Sequence, residues 1–184
     1  MSYRNKTYIA FDGDKDMHYY RLMTAWKSHD GNSFNFHNAH DLNSARDTSL
    51  EQSIKKQLRE RFSNSKLFII LIGENTKNLH KFVRWEIEVA LSLGLPIIAV
   101  NLNSSRRSDE RCPAILRNEL AIFVTFNPKI IEYAMANWPD SYNQHKRDTI
   151  LTACIQSLVF ETFLGLGVDD LVLALRPLLE GGGR

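Results

Sequence analysis

Short apolar runs and amphipathic stretches alternate along the chain. The runs are too short for helices and are bounded by polar or turn-forming residues, which is typical of buried strands. The longest run, residues 66–72, is almost continuously apolar up to Gly73, so we predict a central strand covered on both faces. The predicted strands are residues 8–11, 34–36, 66–72, 96–100 and 120–124.

The stretches between these runs carry apolar residues at spacings of three and four, which places them on one face of a helix. Thr48 and Glu51 have the spacing of a capping box at the start of the second helix. The third helix, about residues 80–93, is stopped by Gly94 and Pro96. The other predicted helical faces consist of Tyr19, Leu22, Met23 and Trp26 in the first helix, Leu50, Ile54, Leu58 and Phe62 in the second, and Ile150, Leu151, Cys154, Ile155, Leu158 and Phe163 in a last long helix.

Strands that alternate with helices predict an α/β fold. We expect a flavodoxin-like, doubly wound sheet of about five mainly parallel strands, with helices on both faces. A chain of 184 residues with 43% hydrophobic content can bury a substantial core but is short for two domains. We therefore expect a single domain over residues 1–184, with its core at about 7–164 and a C-terminal extension or tail over 165–184.

Charge and cysteine content disfavour several classes of partner. Lys and Arg total 23 and Asp and Glu total 21, a net charge of +2, and the basic residues occur as scattered pairs. Neither nucleic acid nor a membrane surface is therefore predicted as a partner. Two separated cysteines, a polar N-terminus and the absence of an apolar run near the roughly 20 residues of a membrane span predict a cytoplasmic protein.

Glu86 is the residue whose chemistry the pattern singles out. On a helical wheel at about 100° per residue, Glu88 falls in a polar stripe with Arg84. Glu86 lies instead beside Phe82 and Ala90, on the apolar side. A carboxylate held there is suited to binding sugar hydroxyls or stabilising a developing cation. Helix geometry alone leaves open a boundary glutamate that reaches solvent or pairs with a lysine.

The acidic turn of Asp12, Asp14 and Asp16 lacks the spacing of a metal site. An EF-hand that started at Asp12 would need glycine and glutamate where Met17 and Met23 stand. A phosphoryl-accepting receiver domain would need an aspartate after the third strand and a lysine after the fifth, which makes phosphotransfer a minor alternative. We interpret the three aspartates as a turn with a helix cap.

No other motif indicates a cofactor. His37 and His40 have no third ligand placed with them, so we expect no metal. The chain has no nucleophile motif, no P-loop and no G-x-G-x-x-G fingerprint, which disfavours P-loop NTPases and dehydrogenases.

Three segments together resemble the TIR-like proteins, particularly the bacterial subgroup associated with Thoeris antiphage defence. Residues 8–12, Tyr-Ile-Ala-Phe-Asp, resemble the first strand and following loop, and residues 67–76 resemble the central strand and its exit. The most specific part is residues 82–87, Phe-Val-Arg-Trp-Glu-Ile, with the following Gly-Leu-Pro-Ile-Ile of residues 94–98. The resemblance covers about residues 7–125.

The resemblance implies roles for particular residues. In catalytic TIR proteins, the helix glutamate engages the ribose of NAD and assists cleavage of the nicotinamide–ribose bond, and Glu86 has the matching position. The aromatic residue four positions earlier, often tryptophan in the family, is Phe82. The resemblance also places Phe11, Asp12 and the loop from about Asp41 to Arg46 in a nucleotide cleft at the C-terminal ends of the strands. NAD is then a substrate and not a cofactor.

The resemblance thus implies an NAD glycohydrolase or ADP-ribosyl cyclase in antiphage defence. Its product, ADP-ribose or a cyclic or conjugated derivative, would be a signal for a separate effector protein downstream. Assembly into a homo-oligomer on activation is implied as well. The competing hypothesis is a non-enzymatic TIR-like interaction module, in which the same fold works through homotypic assembly and Glu86 is structural.

Overall fold

A computed structural model describes residues 6–28, 36–37, 51–79 and 81–163, with the backbone alone for residues 36, 37, 150 and 152–163. These residues form strands, four long helices and short 3₁₀ helices at Thr76–Asn78 and Ala114–Leu116. The strands are β1 (Thr7–Ala10), β2 (Phe36–His37), β3 (Leu67–Ile72), β4 (Ile97–Asn101) and β5 (Ala121–Thr125), and the helices are α1 (Met17–Ser28), α2 (Glu51–Phe62), α3 (Phe82–Ser92) and α4 (Pro128–Phe163).

The strands form one parallel sheet in the order β2-β1-β3-β4-β5. This is the flavodoxin-like order, and it confirms both the predicted fold class and the central place of β3. From β1 the chain moves to β2 on one side and then returns to β3 on the other side. The order therefore reverses between β1 and β3, which is where such sheets leave a crevice at the carboxyl ends of the strands.

Two hydrophobic layers cover the two faces of the sheet, because successive side chains of a strand point to opposite faces. All the side chains of β3 are buried. Those of Phe68, Ile70 and Ile72 lie in a layer with α2 and α3, the α2–α3 layer. Those of Leu67, Ile69 and Leu71 lie in a layer with α1 and α4, the α1–α4 layer. The predicted covering of both faces by helices is confirmed.

The predicted apolar face of α1 is wrong at one position. Met23 is fully buried, and Tyr19 and Trp26 are partly buried against the same layer, as expected. Leu22, however, is 46% exposed. Tyr20, which was not predicted to face the sheet, is buried in the α1–α4 layer. Leu22 precedes Met23 by one residue, and one residue turns the helix by about 100°, so the two side chains face different surroundings.

The last helix begins far earlier than the apolar pattern indicated. The pattern predicted it only around residues 150–163, whereas α4 runs over Pro128–Phe163. Proline is favoured in the first turn of a helix. The side-chain oxygen of Asn127 caps that turn by accepting hydrogen bonds from the backbone N–H groups of Lys129 and Ile130. Pro139 lies inside the helix. Proline is unfavourable in a helix interior, so the sequence did not predict that the helix extends back to residue 128.

Contacts divide the chain into two compact units, Met1–Tyr142 and Asn143–Arg184. The first unit contains the five-stranded sheet and both hydrophobic layers. The single-domain organisation stays a prediction. The predicted tail over 165–184 and the start of the capping box at Thr48 lie outside the described residues. Within the described part of the chain, every helix is too short or too polar to cross a membrane.

Candidate active site

A cleft of about 590 Å³ opens at the carboxyl end of β1. One wall is the turn that follows β1, and the other is the segment that leads from β3 into the first turns of α3. The cleft therefore lies where the strand order reverses, the position at which open α/β sheets bind ligands, and its volume is in the usual range of small-molecule sites. The lining residues are Phe11, Asp12, Gly13, Asp14, Asn78, Leu79, Lys81, Phe82, Val83 and Glu86.

Glu86 lies in the wall of this cleft and is only 9% exposed. Its Oε1 accepts a hydrogen bond of 2.8 Å from the hydroxyl of Tyr8 on β1. Glu88, two residues further along, instead accepts a hydrogen bond from Arg84 on the exposed side of the helix. The predicted placement of Glu86 on the apolar side is confirmed, while its catalytic role stays a prediction.

Burial raises the pKa of the Glu86 carboxyl to about 7. The hydrogen bond from Tyr8 and the positive charge of Arg61 act in the opposite direction and limit this rise. A carboxyl group with such a pKa exchanges its proton near neutral pH, and a buried group of this kind in a cleft is a recognised sign of a functional site.

Two phenylalanines, Phe11 and Phe82, line the cleft, while their contact with a nucleotide stays a prediction. Phe11 is buried and stacks on Tyr20, with ring centroids 4.7 Å apart. Phe82 meets Trp85 edge to face at 5.5 Å, and both side chains are partly buried against the α2–α3 layer. Trp85 therefore packs against the layer while part of its side chain stays exposed. The two phenylalanines give the cleft apolar surface.

Asp12 lines the cleft and also holds the shape of the turn that forms one wall. Its Oδ1 accepts hydrogen bonds from the backbone N–H groups of Asp14, at 3.0 Å, and Lys15, at 3.3 Å. Its Oδ2 accepts a bond of 3.4 Å from the Asn75 side chain. The interpretation of the acidic segment as a turn is confirmed, while its helix cap and the contact between Asp12 and a nucleotide stay predictions.

Asp16 lies at the end of the same turn and faces Gly73, the residue after β3. A Cβ atom at Gly73 would come within 2.2 Å of its carboxylate. The side chain is buried, and its Oδ2 has no hydrogen-bond partner among the residues that the structure describes. Burial, followed by the charge of Asp12, raises the pKa of Asp16 to about 6, while His18 opposes the rise. The carboxyl group thus packs against backbone that only glycine leaves open.

Asp41 and Arg46, which were also predicted to line the nucleotide cleft, lie outside the described residues. The same holds for His40 and for the side chain of His37. In the described part of the chain, no three His, Cys, Asp or Glu side chains are placed to hold a metal ion together.

Among the residues that the structure brings to Glu86 or to the cleft, the sequence did not point to Tyr8, Asn78 or Lys81. Tyr8 contacts Glu86 directly, and Asn78 and Lys81 line the cleft. The position of Asn78 and Lys81 between the central strand and the next helix was an available signal, because that connection borders the switch point of a doubly wound sheet. The sequence held no such signal for Tyr8, because strand alternation does not say which helix packs against which face of the sheet.

The chain also matches a known protein family over the part that forms the cleft. The family model of the TIR-like domain of Thoeris protein ThsB matches residues 8–107, which is more than half of the chain. The match runs from β1 through α3 and β4, and it includes Glu86 and the described lining residues of the cleft. Thoeris proteins are associated with antiphage defence. The chain therefore belongs to the family of TIR-like domains of the Thoeris protein ThsB.

Proposed function

We propose that this protein cleaves NAD at its nicotinamide–ribose bond, with Glu86 as the catalytic residue. The observation that carries the proposal is the placement of the Glu86 carboxyl: it is buried in α3, lines the cleft at the switch point of the sheet and has a pKa of about 7. A family match that spans β1 to β4 adds support, because the resemblance to catalytic TIR proteins assigns the ribose-binding glutamate to this position.

The reaction breaks one bond and forms one bond at the same ribose carbon. The bonding electrons leave with nicotinamide, which is a neutral leaving group, and the ribose develops oxocarbenium character. An ionised carboxylate in a desolvated cleft stabilises that positive charge more strongly than it would in water. A nucleophile then bonds to the ribose carbon and gives up a proton. Water yields ADP-ribose, an adenine nitrogen yields a cyclic isomer, and another small nucleophile yields a conjugate.

The other lining residues suit a dinucleotide. Phe82, one helical turn before Glu86, supplies an apolar wall on the same side of α3. Phe11 adds a second apolar surface, and Lys81 lines the cleft with a positive charge that suits the negative pyrophosphate of NAD. Asp12, Asp41 and Arg46 complete the proposed binding residues. NAD serves as the substrate, and no resident cofactor is involved.

The proposed biological role is to make a signal in antiphage defence. The released ADP-ribosyl compound would bind a separate effector protein, and the enzyme itself would assemble into a homo-oligomer when it is activated. Family membership supports a defence role with an effector partner in general terms.

Replacing Glu86 by glutamine tests the catalytic assignment. Purified protein is incubated with NAD, with and without lysate from phage-infected cells as the activating signal, and released nicotinamide is measured by chromatography. We expect Glu86→Gln to lower the rate by at least about a hundredfold, because it removes the charge while keeping the size of the side chain. The Tyr8 hydroxyl can still donate to the amide oxygen, so the fold is expected to be preserved.

Glu88→Gln is the matched control, since it makes the same change on the same helix but outside the cleft. It should release nicotinamide at close to the parent rate. Parent-like activity in Glu86→Gln would refute the catalytic role. If the parent released no nicotinamide under either condition, the non-enzymatic interaction module would replace the proposed enzyme.

A further inference from the structure

Tyr8 and Glu86 are 78 residues apart in sequence and are joined in the core by a hydrogen bond of 2.8 Å. Tyr8 is 3% exposed and its side chain points into the α2–α3 layer, as does that of Ala10, the next residue but one in β1. A shift of the strand by one residue would turn Tyr8 to the opposite face of the sheet. The contact therefore depends on the register of β1 beside β3.

The tyrosine ring packs against two other aromatic rings. Its centroid lies 4.1 Å from that of Phe62 on α2 and 6.0 Å from that of Phe68 on β3. Such packing restricts the ring to one orientation, so the hydroxyl has a fixed position relative to α3. Burial, and then the nearby charge of Glu86, raises the pKa of the phenol far above its usual range. The hydroxyl consequently remains a donor throughout the pH range in which Glu86 titrates.

Several charged or titratable groups surround the Glu86 carboxyl. Arg61 on α2 favours its ionised form at a distance. Asp12, Asp14 and Lys81 line the same cleft from the turn after β1 and from the residue before α3. Tyr8 is the group that contacts the carboxyl directly, through Oε1. A hydrogen bond donated to a carboxylate stabilises the ionised form, so Tyr8 opposes the effect of burial.

We propose that Tyr8 is the positioning residue of this site: its hydroxyl fixes Oε1 of Glu86, keeps the carboxylate available near neutral pH and leaves Oε2 for the ribose in the cleft. The catalytic consequence rests on the proposed function, whereas the hold of Tyr8 on Glu86 does not. The charge state of Glu86 on α3 then depends on one oxygen atom, that of the Tyr8 hydroxyl on β1.

Tyr8→Phe removes that oxygen atom and keeps the aromatic packing. We expect the kcat for NAD cleavage at pH 7 to fall by about five- to fiftyfold, with KM within about twofold of the parent value. The midpoint of the kcat–pH profile should move upward by about one unit, so that activity partly recovers near pH 9. Tyr142→Phe is the matched control, because it removes the same atom from a partly buried tyrosine in the α1–α4 layer.

A titration of Glu86 separates this proposal from the proposed function. The side-chain carboxyl carbons are labelled with ¹³C, and the Glu86 signal is identified by its loss in Glu86→Gln. In Tyr8→Phe its titration midpoint should rise by about one unit, while in Tyr142→Phe it should match the parent. If the midpoint rises but the parent does not cleave NAD, the proposed function fails and the hold of Tyr8 on Glu86 stands.

Other outcomes would overturn the proposal itself. An unchanged Glu86 midpoint in Tyr8→Phe would show that the hydroxyl does not control the carboxyl. A loss of kcat by the same factor at every pH would indicate a merely structural role. A shifted midpoint together with parent-like kcat at pH 7 would show that positioning by Tyr8 is irrelevant to the reaction.

Discussion

At the scale of single residues, the two glutamates of α3 show how position decides chemistry. Glu86 is buried in the wall of the cleft, and burial raises its pKa to about 7. Glu88 accepts hydrogen bonds from Lys55 and Arg84, and the bond from Lys55 in particular lowers its pKa. A separation of two residues turns an α-helix by about 200°, so the same side chain meets the protein interior in one case and basic partners near solvent in the other. Glu86 is therefore suited to catalysis. Glu88→Gln is suited to serve as the control for Glu86→Gln.

Gly73→Ala is predicted to destabilise the fold by about 1–3 kcal/mol, as overpacking of a well-filled interior does. The added Cβ would lie 2.2 Å from Oδ2 of Asp16, and that carboxylate is buried and has little room to move. Chemical denaturation followed by circular dichroism gives the free energy of unfolding.

A double-variant cycle identifies the cause. In an Asp16→Ala background the carboxylate is gone, so Gly73→Ala should cost less than about 0.5 kcal/mol there. An equal cost in both backgrounds would mean that the clash with Asp16 is not what requires glycine at this position.

At the scale of elements, α2 and α3 are linked by ion pairs as well as by apolar packing. The Nζ of Lys55 on α2 lies 2.5 Å from Oε2 of Glu88 and 2.5 Å from Oε1 of Glu51. The Nε of Arg84 lies 2.9 Å from Oε1 of Glu88, four residues along the same helix. The buried sides of both helices meet in the α2–α3 layer, so these charges add to a contact that the hydrophobic core already makes.

Glu88→Gln is predicted to lower the free energy of unfolding by no more than about 1 kcal/mol, because its partners are partly exposed to solvent. The loss should shrink as salt rises from low to about 1 M, where exposed charges are strongly screened. Denaturant titrations of parent and variant at both salt concentrations provide the measurement. A loss of several kcal/mol that does not respond to salt would contradict this view and would place Glu88 in the structural core.

At the scale of the whole molecule, the buried carboxyls of Asp16 and Glu86 couple stability to pH. Their folded-state pKa values, about 6 and about 7, lie above the ordinary values of 3.8 and 4.5. The folded protein therefore binds their protons more tightly than the unfolded chain does. The stabilisation from this difference is complete below pH about 4 and is lost as pH rises through 6 and 7.

Asp16→Asn combined with Glu86→Gln should consequently increase stability relative to the parent as pH rises. We expect a relative gain of about 2–5 kcal/mol between pH 4.5 and pH 8, since each raised pKa is worth about 1–3 kcal/mol. Comparing the double variant with the parent at each pH cancels groups with the opposite trend, such as Glu88. A difference in unfolding free energy that stayed constant across this range would show that neither carboxyl group has a raised pKa.

The sequence by itself determined most of the fold of this protein. Apolar runs bounded by Gly73 and by Pro96 predicted strands within a residue or so of their ends, and the alternation with helices predicted the parallel sheet. These signals are local, because a buried strand must be apolar on both faces and a covering helix on one. For the same reason, helix periodicity alone placed Glu86 on the apolar side of α3. The pattern failed in the first half of α4, which contains Pro139. Proline disfavours a helix interior, but packing of Trp138 in the α1–α4 layer stabilises the helix there.

Only the tertiary structure decided what surrounds Glu86. The strand order brings the turn after β1 and the start of α3 to the two sides of one cleft, and it brings the hydroxyl of Tyr8 to a carboxyl 78 residues away. The closeness of Asp16 to Gly73 has the same origin. Such contacts depend on strand register and on which helix covers which face, and no local pattern carries that information. The sequence therefore identified the carboxylate, and the tertiary structure supplied its desolvation, its hydrogen-bond donor and its cleft.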